Sequence, residues 1–449
     1  MKVLLISANT LREPYPVYPL GLDYVAGAIA GAHQVHCLDL NSLTDVDGLP
    51  HAVHAFGPDI IAISVRNIDN TDALHPKGFM ANYRQLTQAV RLCSAAPIVL
   101  GGTGFTLFAH EIMRLLEADY GIVGEGERLA VLLQALEQGK DPAGVPGVVV
   151  GHAPAPDPDP WPQAGVRRFD PQGTHLDFYL RHGGMLNLQT KRGCHFRCVY
   201  CSYPYIEGQA LRFAPPEQSA RMAVELQQAG AQYLFITDSA FNADAVHSLA
   251  VAQAFKKQGL TIPWGGFFAP VPMPADYFTI LAECGLKHVE FGTESLCDTV
   301  LTAYRKPFAR RHVFAAHQAA QAAGLHVAHY FLFGGPGETA KTMAESFYHM
   351  DRLEKTVLFL FCGMRIYPHT SLYEIALQQG QISTDQSILE PVFYQPSSIG
   401  LTDIARQVET HAQGRENWMR GAGGERAIQI LTRMHRRGRT GPLWEYLIR

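Results

Sequence analysis

Three cysteines lie within eight residues of the segment TKRGCHFRCVYCSYP (residues 190–204). Cys194, Cys198 and Cys201 have the spacing C-x3-C-x2-C, with no fourth cysteine beside them. Thiolates hold [4Fe–4S] clusters, so three of them leave one iron open to an external chelator, such as the amino and carboxylate groups of a small molecule. The alternative is zinc, which would need a fourth ligand from His195 or from elsewhere in the fold. The spacing favours the iron–sulfur cluster.

The bulk composition is that of a globular protein that can bury a core. The chain has 449 residues, 47% hydrophobic and 17% charged, with a net charge of −4. No basic excess indicates a nucleic-acid partner, and no apolar run is long enough for a membrane span. The start, MKVLLISANT, is interpreted as a buried strand instead of a signal peptide. We therefore expect a cytoplasmic protein, in which the five scattered cysteines are small core residues.

Strand-like and helix-like segments alternate over residues 1–140, the first predicted domain. Apolar runs predict five strands, at 2–7, 33–40, 58–65, 96–102 and 119–127. This alternation predicts an α/β fold with a doubly wound, Rossmann-like parallel sheet. Ligands of such sheets bind at the carboxyl ends of the strands, where this sequence has polar or glycine-rich stretches.

The rest of the chain divides into three predicted parts. Residues 141–184 are rich in proline and glycine and are interpreted as a linker. Residues 185–376 alternate again and contain about six β/α units, fewer than the eight of a complete barrel. Residues 377–449 are predicted to form a helical region, with basic residues near its end.

The cysteine motif and four later segments resemble radical S-adenosylmethionine (SAM) enzymes. CHFRCVYC matches their three-cysteine signature, including the aromatic Tyr200 before the last cysteine. FITDSAFN (235–242), EFGTESL (290–296), HYFLFGGPGET (329–339) and RIYPHTSLYEIA (365–376) resemble, in order, the ends of the second, fourth, fifth and sixth barrel strands of that family. The resemblance implies a partial (β/α)6 radical SAM barrel.

The same resemblance implies which side chains bind cofactors in the barrel. Cys194, Cys198 and Cys201 would hold the cluster, and the SAM-side residues would be Tyr200, Asp238, Ser239, Asn242, Glu294, Ser295, Gly334 and Gly335. Each has a plainer alternative. Asp238 and Asn242 could be helix caps, Glu294 could be a surface carboxylate, and the glycines could form an ordinary turn.

A doubly wound domain ahead of this barrel resembles the cobalamin-binding arrangement of B12-dependent radical SAM enzymes. The segments at the family's cobalamin contacts are SVRN, GGTGFT and GEGE, which assign cobalamin binding to Ser64, Asn67, Gly101, Gly102, Thr103, Gly124, Glu125 and Gly126. The alternatives are a receiver-like domain or a dinucleotide-binding domain. No G-x-G-x-x-G follows the first strand, which argues against a dinucleotide.

One departure from the family concerns the cobalt ligand. Many cobalamin domains have D-x-H-x-x-G after the first strand, but residues 7–21 contain no histidine. We therefore predict cobalt without a histidine lower ligand. Arg66 resembles the arginine that approaches the lower cobalt face in tryptophan-methylating members, a catalytic position, and its permanent charge would disfavour a water ligand there. The alternative is an ion pair of Arg66 with Asp69 or Asp72.

The resemblance implies an enzyme with three cofactors: a [4Fe–4S] cluster, SAM and cobalamin. It would move a methyl group from SAM, through methylcobalamin, to an unactivated carbon of a small-molecule substrate. The expected partners are that substrate and an electron donor such as flavodoxin or ferredoxin, with neither nucleic acid nor membrane. The alternatives are a non-methylating rearrangement or cyclisation, or a radical SAM enzyme that does not use cobalamin.

Overall fold

The computed structural model describes residues 1–12, 15–43, 48–151, 161, 164–173, 175–421 and 424–448. Most of the proline-rich part of the predicted linker, residues 152–160, 162–163 and 174, lies outside the described residues. Within the described residues, no helix combines the length and the apolar character that crossing a membrane requires.

The first half of the chain forms a six-stranded sheet flanked by helices. Its strands are Lys2–Ser7 (β1), Gln34–Asp39 (β2), Ile60–Ser64 (β3), Ile98–Gly101 (β4), Tyr120–Ile122 (β5) and Val148–Val150 (β6). Its helices are Leu20–Ile29 (α1), Gly48–Phe56 (α2), Met80–Cys93 (α3), Thr103–Leu107 (α4), Ala109–Leu116 (α5) and Leu129–Glu137 (α6). The strand order is β2-β1-β3-β4-β5-β6. Strands β1 to β5 are parallel, which confirms the doubly wound sheet.

Strand β1 shows why the apolar runs form this sheet. Five of its six residues, Val3 to Ser7, are buried, and β1 pairs in parallel with both β2 and β3. Because helices cover both faces of such a strand, an uninterrupted apolar run is the sequence that fits it. Strands β2 and β3 lie on opposite sides of β1. Because the strand order reverses at this point, a crevice opens at the carboxyl ends of β1 and β3.

Strand β6 lies inside the predicted linker. It pairs antiparallel with β5 and matches Tyr120 with Val150. The first sheet therefore extends to Val150, ten residues beyond the predicted domain end at residue 140. The sequence pattern did not predict this short edge strand, because its glycine and proline neighbours normally indicate loops.

The second half forms an open barrel. Its strands are Met185–Leu188 (β7), Lys191–Arg192 (β8), Arg212–Phe213 (β9), Tyr233–Ile236 (β10), Trp264–Phe268 (β11), Leu286–Glu294 (β12), His326–Phe333 (β13), Thr356–Cys362 (β14) and Trp418–Arg420 (β15). Its helices are Leu176–Arg181 (α7), Tyr203–Ile206 (α8), Pro216–Gln228 (α9), Ala245–Lys257 (α10), Tyr277–Glu283 (α11), Asp298–Ala303 (α12), Arg310–Ala322 (α13), Ala340–Met350 (α14), Ser371–Gln378 (α15), Leu401–Ala412 (α16) and Gly424–Arg436 (α17).

The barrel strands follow the order β15-β14-β13-β12-β11-β10-β7, and every pairing in this sheet is parallel. In the part of the chain that the structure describes, β7 does not pair with β15, so the barrel stays open. Residues 377–449 contain the predicted helices, Leu401–Ala412 and Gly424–Arg436, and in addition the short strand β15. Its three residues, WMR, are too few to give a strand pattern.

Buried ion pairs and apolar contacts join the two halves. Asp23 of α1 pairs with Arg167 at 2.8 Å, and Asp69 pairs with Arg365 at 3.0 Å. One hydrophobic cluster contains residues from both halves, including Ile68 near the sheet. The crevice of the first sheet therefore faces the barrel instead of solvent.

Candidate cofactor cleft and cysteine loop

The three cysteines lie in the loop between β8 and β9, which pair as a two-stranded antiparallel ribbon. The loop follows the carboxyl end of β7. Cys194 N donates to Gly208 O at 3.1 Å, which ties the two ends of the loop together. Gly193 has a φ of +86°, and a Cβ there would lie 2.1 Å from Ala210 O. Only glycine fits this position, so the loop conformation depends on it.

The separation of the thiols distinguishes the two metal interpretations. A tetrahedral zinc ion with Zn–S bonds of about 2.3 Å would place sulfurs about 3.8 Å apart. The three sulfurs do not all lie within 4.8 Å of one another. They are thus too far apart for one zinc ion, while a cluster of several irons needs a wider spacing. The cysteine loop fits the iron–sulfur cluster.

Lys306 stands beside the cysteine loop and was not predicted from the sequence. Its Nζ lies 3.4 Å from Glu294 Oε1 and 3.3 Å from Tyr200 Oη. Tyr200 also donates to Glu294 Oε1 at 2.7 Å. The three side chains form one network between the loop and the carboxyl end of β12. Glu294 is therefore partnered and mostly buried, which rules out the alternative of a free surface carboxylate.

The charge of Lys306 acts on the thiols. Burial would lower the pKa of Lys306, but Glu294, Cys198 and Cys201 outweigh burial and raise it. Burial raises the pKa of Cys198, which Lys306 opposes, and burial raises the pKa of Cys201 to about 12. Without metal these thiols are protonated, and a fixed cation beside them favours the thiolate form that metals bind.

Asp238 holds the start of the cysteine loop. Its carboxylate accepts from Thr190 N at 2.7 Å, from Thr190 Oγ1 at 2.6 Å and from Lys191 N at 3.3 Å. Burial raises the pKa of Asp238. Ser239 donates to Gly193 O at 3.2 Å. These two predicted SAM residues therefore hold the cysteine loop in place, and their contact with SAM stays a prediction.

Asn242 is buried and bonds to the main chain of the next strand. It donates to Ala269 O and accepts from Ala269 N, both at 2.8 Å. Asp244 caps helix α10 by accepting from His247 N. The helix-cap alternative for Asp238 and Asn242 is therefore wrong.

The other predicted SAM residues lie at the ends of β12 and β13. Ser295 bonds to Ser346 of α14 at 3.0 Å and is buried. Gly334 has a φ of +98°, and Gly335 N donates to Tyr304 Oη at 3.1 Å. A Cβ on Gly335 would lie 2.5 Å from Tyr304. Close packing at the end of β13 explains why glycine occupies both positions. That the two glycines contact SAM stays a prediction.

A cleft lies between the first sheet and the barrel. Its cavity volume is about 280 Å³. The carboxyl ends of β1, β3, β4 and β5 form one wall, and Gln189, Tyr203 and Ile206 are among the residues of the other. The predicted residues on the cleft are Ser64, Arg66, Gly101, Gly102, Thr103, Gly124, Glu125 and Gly126. Asn67 is the one predicted cobalamin residue that does not line the cleft.

The cleft fits a cobalamin that has no histidine ligand. Among the described residues that line it there is no histidine. Arg66 is exposed on the cleft. Asp69 pairs with the buried Arg365 instead, and among the described residues no ion pair joins Arg66 to Asp72. The alternative of a loop ion pair for Arg66 is therefore wrong.

Two glutamates of the GEGE segment cross the cleft to the barrel. Glu127 pairs with Arg192 at 2.7 Å, and Glu125 pairs with Arg212 and more distantly with Arg192. Burial raises the pKa of Glu125. These ion pairs join the cleft wall to the ribbon that holds the cysteine loop.

Aromatic side chains line the face of the barrel sheet opposite its helices. Phe267 packs on Phe235 and Tyr330 at centroid distances of 5.1 and 6.0 Å, and Tyr330 stacks on Phe359 at 4.8 Å. Phe267 is 38% exposed although it lies in a central strand. Phe267 is therefore the accessible ring of this group, while Phe235 and Phe359 are buried.

One carboxyl group lies among these rings. Glu290 accepts from Tyr330 Oη at 2.7 Å and from Trp444 Nε1 at 2.9 Å. Burial raises its pKa to about 7. Sequence reasoning missed Glu290, because a single glutamate in an apolar strand has no local pattern that marks it.

Two family comparisons match separate parts of the chain. Residues 188–347 match the radical SAM superfamily, and residues 7–133 match the B12-binding domain. The second match settles the choice between a cobalamin domain and a receiver-like or dinucleotide-binding domain.

Curated relatives cover most of the chain. A tryptophan 2-C-methyltransferase from Streptomyces laurentii is 25% identical and covers 84% of this chain and 74% of its own. A cytidylyl-2-hydroxyethylphosphonate methyltransferase from Streptomyces wedmorensis is 22% identical and covers 88% of this chain and 85% of its own.

Solved structures show the same fold. The radical S-adenosylmethionine methyltransferase TsrM from Kitasatospora setae, solved with cobalamin and a [4Fe–4S] cluster, has a TM-score of 0.87 at 22% identity, covering 99% of this chain and 97% of its own. The cobalamin-dependent radical enzyme OxsB has a TM-score of 0.75 at 15% identity, covering 92% and 66%.

Proposed function

This chain belongs to the radical SAM enzymes that also contain a B12-binding domain, and we propose that it is a cobalamin-dependent methyltransferase that acts on an aromatic small molecule. One observation supports this most. A single cleft is lined both by the carboxyl ends of the first sheet and by Tyr203 and Ile206, which closely follow the cysteine loop. A ligand in the cleft would therefore lie next to the cluster site.

The position of each predicted site residue indicates which cofactor it would bind. Cys194, Cys198 and Cys201 would hold the cluster, and its open iron would bind the amino and carboxylate groups of SAM. Ser64, Thr103 and the glycines at the ends of β4 and β5 would face cobalamin. When bound, cobalamin supplies a cobalt centre that accepts and passes on a methyl group.

The chain's own side chains would position these groups and exclude water. Lys306 keeps a positive charge beside the thiolates. Arg66 presents a permanent charge at the cleft, where it would face a bound cobalamin and disfavour further positive charge on its cobalt. Because Arg192 and Arg212 hold the cleft wall against the ribbon, the two cofactor sites would keep a fixed separation.

The aromatic lining of the barrel supports an aromatic substrate. Phe267 offers an accessible ring that packs on Phe235 and Tyr330, and aromatic rings favour stacking with another ring. The curated tryptophan 2-C-methyltransferase has a substrate of this chemistry, so tryptophan is the first compound to test.

The test begins with metal content. The chain is purified without oxygen, reconstituted with iron, sulfide and hydroxocobalamin, and assayed for metals. We expect about four irons and one cobalt per chain. Cys198→Ala should lose the iron and keep the cobalt, while Cys93→Ala, a control on helix α3, should keep both. Iron without cobalt in the wild-type protein would contradict the proposal.

The second step tests the reaction. SAM with an isotopically labelled methyl group is added with tryptophan, other indoles or aliphatic amino acids, and products are identified by mass spectrometry. We expect a labelled methyl group on an aromatic compound only. A rearranged or cyclised product without the label would favour the non-methylating alternative. Dependence on flavodoxin or ferredoxin, a further prediction, is tested by omitting the reductant.

A further inference from the structure

Two histidines and a glutamate meet at the end of the barrel opposite the cysteine loop. His288 lies near the start of β12, His326 begins β13, and Glu445 belongs to the 3-10 turn Trp444–Leu447. Their ligand atoms all lie within 4.8 Å of one another, the only such set among the described residues. The strands are parallel, so this set lies at their amino ends, away from the cofactor cleft.

The distances within this set match those between the ligands of a metal ion, and they are long for hydrogen bonds. His288 Nε2 is 3.3 Å from His326 Nδ1 and 3.4 Å from Glu445 Oε2. Both exceed the usual 2.7–3.2 Å for a hydrogen bond from nitrogen. A tetrahedral zinc ion with bonds of about 2.0–2.1 Å separates its ligand atoms by about 3.3–3.4 Å. An octahedral magnesium ion would bring them to about 2.9 Å.

The surroundings of the set also suit a metal. His288 Nδ1 lies 2.6 Å from Tyr233 Oη, a contact that orients the ring and leaves Nε2 aimed at the other two groups. Glu445 Oε2 is buried, and the polar contact that the described residues give it is the long one to His288 Nε2 at 3.4 Å. One Nε2 proton could not satisfy both His326 and Glu445, whereas a cation would bind all three.

We propose that His288, His326 and Glu445 bind one zinc ion, which fixes the C-terminal turn to the base of the barrel. Two imidazoles and one carboxylate are a known zinc donor set that leaves a fourth position for water. The adjacent Trp444 packs on His288 at 5.1 Å and donates to Glu290. The zinc ion would thus fix the position of Trp444, which closes the barrel next to Glu290.

The test measures zinc in the full-length protein after growth with zinc and removal of loosely bound metal. We expect about one zinc per chain in the reconstituted wild-type enzyme and in a Cys194→Ala, Cys198→Ala, Cys201→Ala variant, because the site does not use those thiols. Glu445→Gln and His326→Gln should each lower zinc at least tenfold. The exposed His51→Gln serves as the control and should retain it.

X-ray absorption at the zinc edge identifies the ligands in the unaltered protein. We expect nitrogen and oxygen neighbours at about 2.0–2.1 Å and no sulfur at about 2.3 Å. Added zinc should raise the melting temperature of the wild-type protein and not that of Glu445→Gln. Less than a tenth of a zinc per chain in the triple cysteine variant, sulfur neighbours, or unchanged zinc in Glu445→Gln would each overturn the proposal. Failure of the methyl-transfer assay would not affect it.

Discussion

At the scale of the residue, Lys306 connects the cysteine loop to Glu294. Its ammonium group is buried and within 3.4 Å of the carboxylate. We predict that Lys306→Met leaves Glu294 without its cation, at a cost of roughly 3–5 kcal/mol in the free energy of unfolding, and lowers iron retention. Thermal denaturation and iron analysis of the reconstituted protein measure the two effects.

The control for Lys306 is Lys287→Met, which removes an exposed lysine from strand β12 and should change neither quantity appreciably. The double variant Lys306→Met, Glu294→Gln should recover part of the lost stability, because no unpaired buried charge remains. If Lys306→Met retained iron and stability as well as Lys287→Met does, the inferred network would be wrong.

At the scale of the element, the cysteine loop depends on the backbone of Gly193. We predict that Gly193→Ala displaces the loop and reduces the iron content several-fold, because its Cβ would lie 2.1 Å from a carbonyl oxygen. Gly208→Ala is a matched control. It has nearly the same φ, +85°, but no atom within 4 Å of its Cβ, so it should cost only about 1 kcal/mol. If both variants lost the same amount of iron, the positive φ, and not the close contact with Ala210, would be the cause of the loss.

The turn between β13 and α14 contains a carboxyl group that makes stability depend on pH. Burial raises the pKa of Glu338 from 4.5 to about 7. The folded state therefore holds a proton that the unfolded state releases above pH 4.5, and this stabilisation is lost as the pH rises through 7. Its upper limit is about 3 kcal/mol.

Glu338→Gln should remove this dependence, because the amide resembles the neutral acid. We expect the melting temperature of the variant, relative to that of the wild-type protein, to increase from pH 5 to pH 8. The exposed Glu354→Gln should show no such trend. A constant difference between Glu338→Gln and the wild-type protein over this range would contradict the assigned cause.

At the scale of the whole molecule, the two domains are held together by buried ion pairs. Asp69 and Arg365 are almost completely inaccessible to solvent. We predict that Asp69→Asn destabilises the protein by roughly 3–5 kcal/mol, since it leaves Arg365 unpaired, and weakens cobalamin binding in the cleft between the domains. Thermal denaturation and cobalamin titration measure these effects.

The exposed pair of Arg406 with Asp403 provides the comparison for this change. Asp403→Asn should cost between 0 and about 1 kcal/mol. Asp69→Asn, Arg365→Met should be more stable than Asp69→Asn alone. The proposed role of the pair fails if Asp69→Asn and Asp403→Asn have the same effect.

Most of the fold could be predicted because its signals are local. The run KVLLIS became β1 with the predicted limits, since strands covered on both faces require continuous apolar sequence. Strands β6 and β15 were missed because three residues are too few for a pattern. The site was predicted where a motif was compact, as in the cysteine loop.

The sequence alone determined the cysteine spacing, the glycine positions and the order of strands and helices, because these depend on neighbours in the chain. Only the tertiary structure decided which distant groups meet. It placed Lys306 beside Cys198 and Glu294, bound Asn242 to Ala269, and left Arg66 on the cleft. It also gathered His288, His326 and Glu445 at one point. Such contacts arise where strands far apart in sequence pack side by side, and no local pattern encodes them.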